Sequence, residues 1–215
     1  MVQSVRSTDR RRSPMPPLLS RRGERGDRDT GIESLSVLRP LLAFLVAATA
    51  IAFGFSASAG ATPTANHARA RADRLMVHDL LVEINVLRAS HSLRPVRLSP
   101  SLRRAADQHD REMGRLGYFS HDSADGADFL GRIEHYYPSG GARYWMVGEN
   151  LLWSARNLTA KAALRVWMHS PLHRANLLRS NWRQIGVSAH RYASARGYFH
   201  RRSIWLVTTD FGVRY

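Results

Sequence analysis

Helical spacing through the first two thirds of the folded part and β-like alternation at its end predict an α+β domain with helices layered on a sheet. A chain of 215 residues with 44% hydrophobic content holds one domain with a sizeable core plus an extension. Two full domains would be cramped.

Residues 1–34 are polar and arginine-rich, with Arg10-Arg11-Arg12, Pro16-Pro17 and Arg21-Arg22 and no apolar period, and are expected to be disordered. Residues 35–59 follow as a signal peptide or membrane anchor. Leu41 to Phe55 carries no charge, and Ala57-Ser58-Ala59 matches the small-residue exit of a cleavable signal. The run falls somewhat short of the roughly 20 residues a spanning helix needs, although counting on to Ala61 nearly reaches it. Cleavage gives a secreted or otherwise extracytoplasmic protein, and retention leaves membrane contact through residues 41–61. The charged leader is long for a signal, so translation starts at either Met1 or Met15. Residues 60–72, rich in Ala, Thr and Pro, are expected to be a linker.

From residue 73 to 215 the pattern is that of a folded domain. Leu75, Leu80, Leu81, Ile84 and Leu87 follow helical spacing, with Asp73 as the expected cap. Ser99-Pro100 places a capping side chain ahead of a proline at the first helical position, where a missing N–H costs nothing. The helix that it opens is expected to reach Leu116 and stop at Gly117. Its apolar face is Leu102, Ala105, Ala106, His109, Met113 and Leu116, so His109 reads as a packed, hydrogen-bonded histidine rather than a ligand.

His121 to Gly126 invites a calcium loop, but His121 stands where the first Asp belongs and Arg132 where the bidentate Glu belongs. A turn capping a short helix from Asp128 to His135 is sufficient. Trp145 to Leu152 carries Gly148-Glu149-Asn150 into a short apolar segment. Thr159 is expected to cap a helix with Ala162, Ala163, Val166 and Trp167 facing inward and an end near His169. Ser170-Pro171 repeats the cap-plus-proline arrangement and puts His173 in a first helical turn, where the dipole disfavours an imidazolium. Pro171 breaks continuity between His169 and His173, which leaves His169 out of the site. Ile185 to Tyr192 and Ser203 to Phe211 read as strands joined by the loop Ala193 to Gly197.

The formal charge is +15, and almost all of the cationic charge is arginine, Lys161 being the only lysine. Beyond the leader the arginines are scattered, at positions such as Arg74, Arg94, Arg104, Arg143, Arg165 and Arg191, with no single run and no nucleic-acid motif, so a solvated basic surface is expected rather than a nucleic-acid partner. The absence of cysteine excludes a disulfide framework, a thiolate metal site and a cysteine nucleophile. No Gly-x-Ser-x-Gly elbow, phosphate loop or dinucleotide fingerprint is present.

His121, Glu149 and His173 lie on three separate elements. Two imidazoles and a carboxylate are a set that a borderline-soft divalent metal accepts and that an acid/base site also needs. The phrases around them, Phe119-Ser120-His121, Gly148-Glu149-Asn150 and Trp167-Met168-His169-Ser170-Pro171-Leu172-His173, resemble in that order the bacterial branch of the CAP superfamily. These are the cysteine-rich secretory, antigen 5 and pathogenesis-related proteins, with an SCP-like extracellular domain. The match runs from Leu81-Val82-Glu83-Ile84-Asn85 through Leu98-Ser99-Pro100 to Ile185-Gly186-Val187 and Asp210-Phe211-Gly212.

The resemblance implies a three-layer αβα sandwich of the CAP/SCP type. It also implies a cavity lined by two histidines and two acidic residues, in which divalent cations bind through the histidines. Carried over by motif, His121 and His173 are the histidines and Glu149 one acid, with Asn150 and Ser170 in support. The second acidic position falls on Ser170, a departure that leaves less negative charge for a metal. Zinc or another divalent cation is the cofactor so implied. For such domains the resemblance suggests lipid, sterol or partner binding and proteolysis, with no shared catalytic mechanism.

Three functions stay open. The first is an exported binding module for a lipid or cell-envelope component, with a His/Glu cavity able to hold a metal. The second is a metal-dependent hydrolase in which Glu149 deprotonates a bound water. The third is a purely structural envelope-interaction protein.

Overall fold

The computed structural model describes residues 5–9, 63–155 and 157–215. The expected signal or anchor segment lies outside the described residues, as does most of the leader. Among the described residues, no helix is long and apolar enough to cross a membrane.

A long helix, α1 (Pro63–Ser90), opens the domain. It starts ten residues before Asp73, so the linker expected over 60–72 is corrected from residue 63 onward. Pro63 stands at the helix start, and Ala65, Ala68, Ala70 and Ala72 are strong helix formers that carry the turn forward. Asp73 is therefore mid-helix and not a cap. The inward stripe is Met76, Leu80, Ile84 and Arg88, spaced by four, while Leu75 is exposed. Arg88 is fully buried because its guanidinium donates to the carbonyls of Leu177 and Arg179 at 2.8 and 3.1 Å, closing the end of a distant helix.

The stub β2 (Arg97–Leu98) leads into α2 (Pro100–Leu116), where Ser99 accepts from the Leu102 amide and Gly117 ends the helix in a left-handed conformation. Leu116, expected to face inward, is exposed. The helix α3 (Phe129–Tyr136) is capped by Asp128, whose carboxylate accepts from the Gly131 amide at 2.8 Å. Strand β3 (Tyr144–Ser154) contains the whole Gly148-Glu149-Asn150 phrase. Thr159 caps α4 (Ala160–Met168) as expected, with Ala163 and Trp167 buried, but Val166 faces solvent. Helix α5 (Pro171–Leu177) follows Ser170, whose side chain makes no capping bond. The hairpin strands β4 (Gln184–Ala195) and β5 (Arg202–Arg214) close the chain. Β4 is longer than expected and takes in residues 193–195 of the anticipated loop.

The sheet order is β1-β3-β5-β4-β2, where β1 (Val5–Asp9) is a leader segment paired antiparallel with Tyr144–Gly148 of β3. The expectation of a leader without regular structure differs from the backbone at these five residues. Helices α1, α4 and α5 cover one face of the sheet over Met146, Leu152, Ile185, Val187, Val207 and Phe211. Helices α2 and α3 cover the other, over Trp145, Val147, Leu151 and Leu206. The alternation of strand side chains explains the split, and the result is the three-layer αβα arrangement. Gly186 is needed where α2 crosses β4. A Cβ there would stand 2.1 Å from the Leu102 carbonyl carbon.

Candidate functional site

Adjacent residues of a strand point to opposite faces, so Glu149 and Asn150 divide the site between the two sides of β3. The pairing with β1 ends at Gly148, opposite Val5, so from Glu149 onward the outer edge of β3 has no strand partner among the described residues.

Glu149 faces α2 and α3 and is fully buried. One carboxylate oxygen meets Nδ1 of His121 at 2.7 Å, and the other accepts from the guanidinium of Arg132. Burial alone would raise its pKa. The charge of Arg132 and the hydrogen bond with His121 overcome that and hold it at about 2, so the group is an anion at neutral pH.

The loop carrying His121 is tied down at two successive carbonyls. His109, inside α2 and fully buried, meets the Ser120 carbonyl through Nε2 at 2.8 Å, and Arg132 donates to the His121 carbonyl at 2.9 Å. Burial lowers the pKa of His109, which keeps it neutral with Nε2–H as the donor. The expectation of a packed, hydrogen-bonded His109 is met.

On the other side of β3, Asn150 donates to the carbonyl of His173 at 3.2 Å and accepts from Asn176 at 3.0 Å. Trp182 donates to the Asn176 carbonyl at 2.8 Å. Asn150 thus fixes α5 against β3 and with it the position of His173. His173 is buried, its Nδ1 has no hydrogen-bond partner among the described residues, and burial followed by the charge of His121 pushes its pKa down to about 4. It is neutral across the physiological range. Ser170 stands at the head of α5, where its carbonyl accepts from the Arg174 amide at 2.9 Å and its side chain makes no capping bond.

Sequence reasoning missed two buried ionisable residues beside Glu149. Arg132 was noticed only as a residue that rules out calcium. Asp210 is the register partner of Glu149 on β5 and is fully buried against it. Burial and the neighbouring Glu149 charge raise its pKa well above the usual carboxylate range, so it is a neutral acid beside an ionised one. The available signal for both was a charged residue inside an apolar pattern: Arg132 beside Ile133, and Asp210 before Phe211.

Among the described residues, no group of three or more His, Cys, Asp or Glu side chains is disposed to hold one metal ion. Both oxygens of Glu149 are already engaged, so the expected three-ligand set of His121, His173 and Glu149 is not assembled. Glu149 stands instead behind His121 as an orienting carboxylate.

The model of the cysteine-rich secretory protein (CAP) family matches residues 81–208, a span that includes every site residue named above except Asp210. The chain belongs to the CAP family. Two relatives from Bacillus subtilis (strain 168) are an uncharacterized protein, YkwD, and an uncharacterized membrane protein, YlbC. YkwD is 30% identical over 121 residues, covering 56% of this chain and 41% of its own length. YlbC is 27% identical over 117 residues, covering 54% and 32%. The chain thus spans less than half the length of the curated relatives it matches. An extracellular protein containing a SCP domain from Bacillus anthracis str. Ames has a similar solved structure, with a TM-score of 0.53 at 24% identity over 71% of this chain and 44% of that one. That likeness concerns the fold, and it agrees with the layered CAP architecture described here.

Proposed function

We propose that this CAP domain is an exported binding module, not a hydrolase, and that its His121/His173 pocket takes up a divalent cation of zinc-like chemistry. The observation that carries the reading is the engaged state of Glu149. A general base needs a free lone pair and a pKa near the working pH. Glu149 has both oxygens occupied and is held at about 2. It orients the His121 ring instead.

The donor set suits a weakly held cation. Glu149 on Nδ1 of His121 leaves Nε2 to face a metal, and the neutral His173 supplies a second imidazole. Two nitrogens leave the remaining positions to water or to a ligand's own oxygen atoms, and a bound ion there would polarise such an oxygen. The module's ligand is proposed to be a lipid or a cell-envelope component. Export is supported by the apolar segment over 41–61 and by the extracellular and membrane descriptions of the relatives.

Calorimetric titration with Zn²⁺ tests the cation site. Binding is expected to vanish in His121→Ala and in His173→Ala, and to weaken about 10- to 100-fold in Glu149→Gln through loss of the orienting carboxylate. Equal binding by the histidine variants would overturn it. Metal-dependent hydrolysis of a peptide or envelope polymer that disappears in Glu149→Gln would replace the binding reading with the hydrolase. Export with processing is checked by mass spectrometry of the protein from its host, where a peptide containing residue 50 would mark a retained anchor.

A further inference from the structure

The outer edge of β3 falls into two stretches that differ in what closes them. Tyr144 exchanges both backbone hydrogen bonds with Tyr215, at 2.9 and 3.1 Å, so its amide and carbonyl face β5. Backbone direction alternates along an antiparallel strand, and the amides and carbonyls of Trp145, Val147, Glu149 and Leu151 therefore face the outer edge in the odd-numbered places. At Leu151 the domain itself closes that edge, because the indole of Trp167 in α4 donates to the Leu151 carbonyl at 3.1 Å. From Tyr144 to Gly148 the closing element is β1.

Trp145 stands opposite Thr8 and Val147 opposite Arg6, so these two pairs carry the backbone hydrogen bonds between β1 and β3. Both β3 residues are buried with β1 in place. The unbroken register from Tyr144 to Gly148 shows that the side chains of the domain leave room there for a whole strand. Its antiparallel sense puts the amino-terminal end of the occupant at Gly148, next to Glu149. That occupant is a lone strand, with no further strand outside it among the described residues.

The occupant is also the part of the chain from which the domain is set to part. Val5–Asp9 precedes the apolar segment over 41–61, and the domain follows it. Insertion of that segment puts strand and domain on opposite sides of a membrane, cleavage after Ala59 separates them, and a start at Met15 omits the strand altogether. Each route takes the partners away from the amides and carbonyls of Trp145 and Val147. Unpaired groups along a strand edge are a template for another strand, and leaving them buried without partners is costly.

We propose that the β3 edge from Tyr144 to Gly148 is a docking site for an extended segment of another polypeptide, and that Val5–Asp9 is its stand-in while the leader is attached. Strand addition of this kind draws its affinity from main-chain hydrogen bonds. The stand-in states the chemistry that fits. Val-Arg-Ser-Thr-Asp carries β-branched residues at Val5 and Thr8, no proline and no apolar run, so the partner is a hydrophilic, β-forming segment. Exposure of the edge in the exported protein rests on the export reading above, whereas the seat for a strand does not. The site needs no metal.

The test is fluorescence anisotropy with a labelled, end-capped peptide of residues 3–11. It compares the full chain, the full chain carrying Arg6→Pro/Thr8→Pro, which removes the two β1 amides that face β3, and the chain begun at Met15. Saturable binding is expected for the last two. The full chain should bind about tenfold or more weakly, because its own tethered strand competes at an effective concentration on the order of mM. A peptide with proline at the places of Arg6 and Thr8 should not bind. EDTA should change none of these affinities, so a failed cation site and a failed strand site are read apart, and mass spectrometry of the host protein decides export independently of both. Equal affinity for the proline peptide, equal affinity of all three proteins, or no binding by the chain begun at Met15 would overturn the proposal. Dimerisation of that chain with exclusion of the peptide would overturn it in favour of a second copy at the edge.

Discussion

Two clusters in this domain are built from histidine and carboxylate, and they invert each other. At β3, one carboxylate, Glu149, is shared by the imidazole of His121 and the guanidinium of Arg132. At β4, one imidazole, His190, is shared by two carboxylates, Asp73 at 3.3 Å and Asp107 at 2.7 Å. The first arrangement fixes an anion at about 2 and the second fixes a cation at about 9. The lesson is that the count of partners, not the kind of pair, decides which group keeps its charge. It also separates roles. His190 is committed to joining α1 to α2 and has no lone pair for a metal, whereas His173 keeps its nitrogen neutral.

The largest effect that would break this comparison is at Arg132. Arg132→Met leaves Glu149 buried without its guanidinium partner and is expected to cost about 3–5 kcal/mol in urea unfolding. Adding Glu149→Gln should restore part of the loss, because the uncompensated charge goes with it. A cost under about 1 kcal/mol would mean that the carboxylate is not fixed as described. The stability due to the lowered Glu149 pKa is present above about 4.5 and should be lost as pH falls from there toward 2. His173, also lowered, acts in the same direction from about 6.5 down toward 4.

A smaller effect of opposite sign is expected at the other cluster. The raised His190 pKa contributes stability that is complete below about 6.5 and disappears as pH rises through about 9. His190→Ala should cost about 1–2 kcal/mol at pH 6 and nothing comparable above pH 9, read from melting curves across that range. An unchanged alkaline slope would remove the distinction between the clusters. The smallest effect is Asp107→Asn, which should cost less than about 1 kcal/mol because Asp107 is 41% exposed and His190 keeps Asp73.

Much of the layered fold was legible in local signals. Ser99-Pro100, Asp128 and Thr159 cap helices where their chemistry says that they should, and the alternation of the closing strands predicts the hairpin. Longer-range facts were not. Asp73 looked like a cap because it follows a stretch of small residues, yet its carboxylate belongs to His190, 117 positions away. Leu116 and Val166 fit a helical period and still face solvent, because the sheet covers only part of each helix. The site was half legible. His121, Glu149 and His173 carry recognisable phrases, but the competition of Arg132 for Glu149 depends on where α3 docks, and no spacing in the sequence states that. Asp210 becomes significant only through its register opposite Glu149.

The contact at Gly186 bears on how the layers can shift against one another. With the α2 backbone resting directly on β4, helix and strand have no side chain between them to yield. The first three turns of α1, most of whose side chains from Thr64 to Leu75 lie open to water, hold to β4 through Arg69 on the Arg191 carbonyl and Asp73 on His190. One helical layer is welded to the sheet, and this stretch of the other is pinned to it at two points.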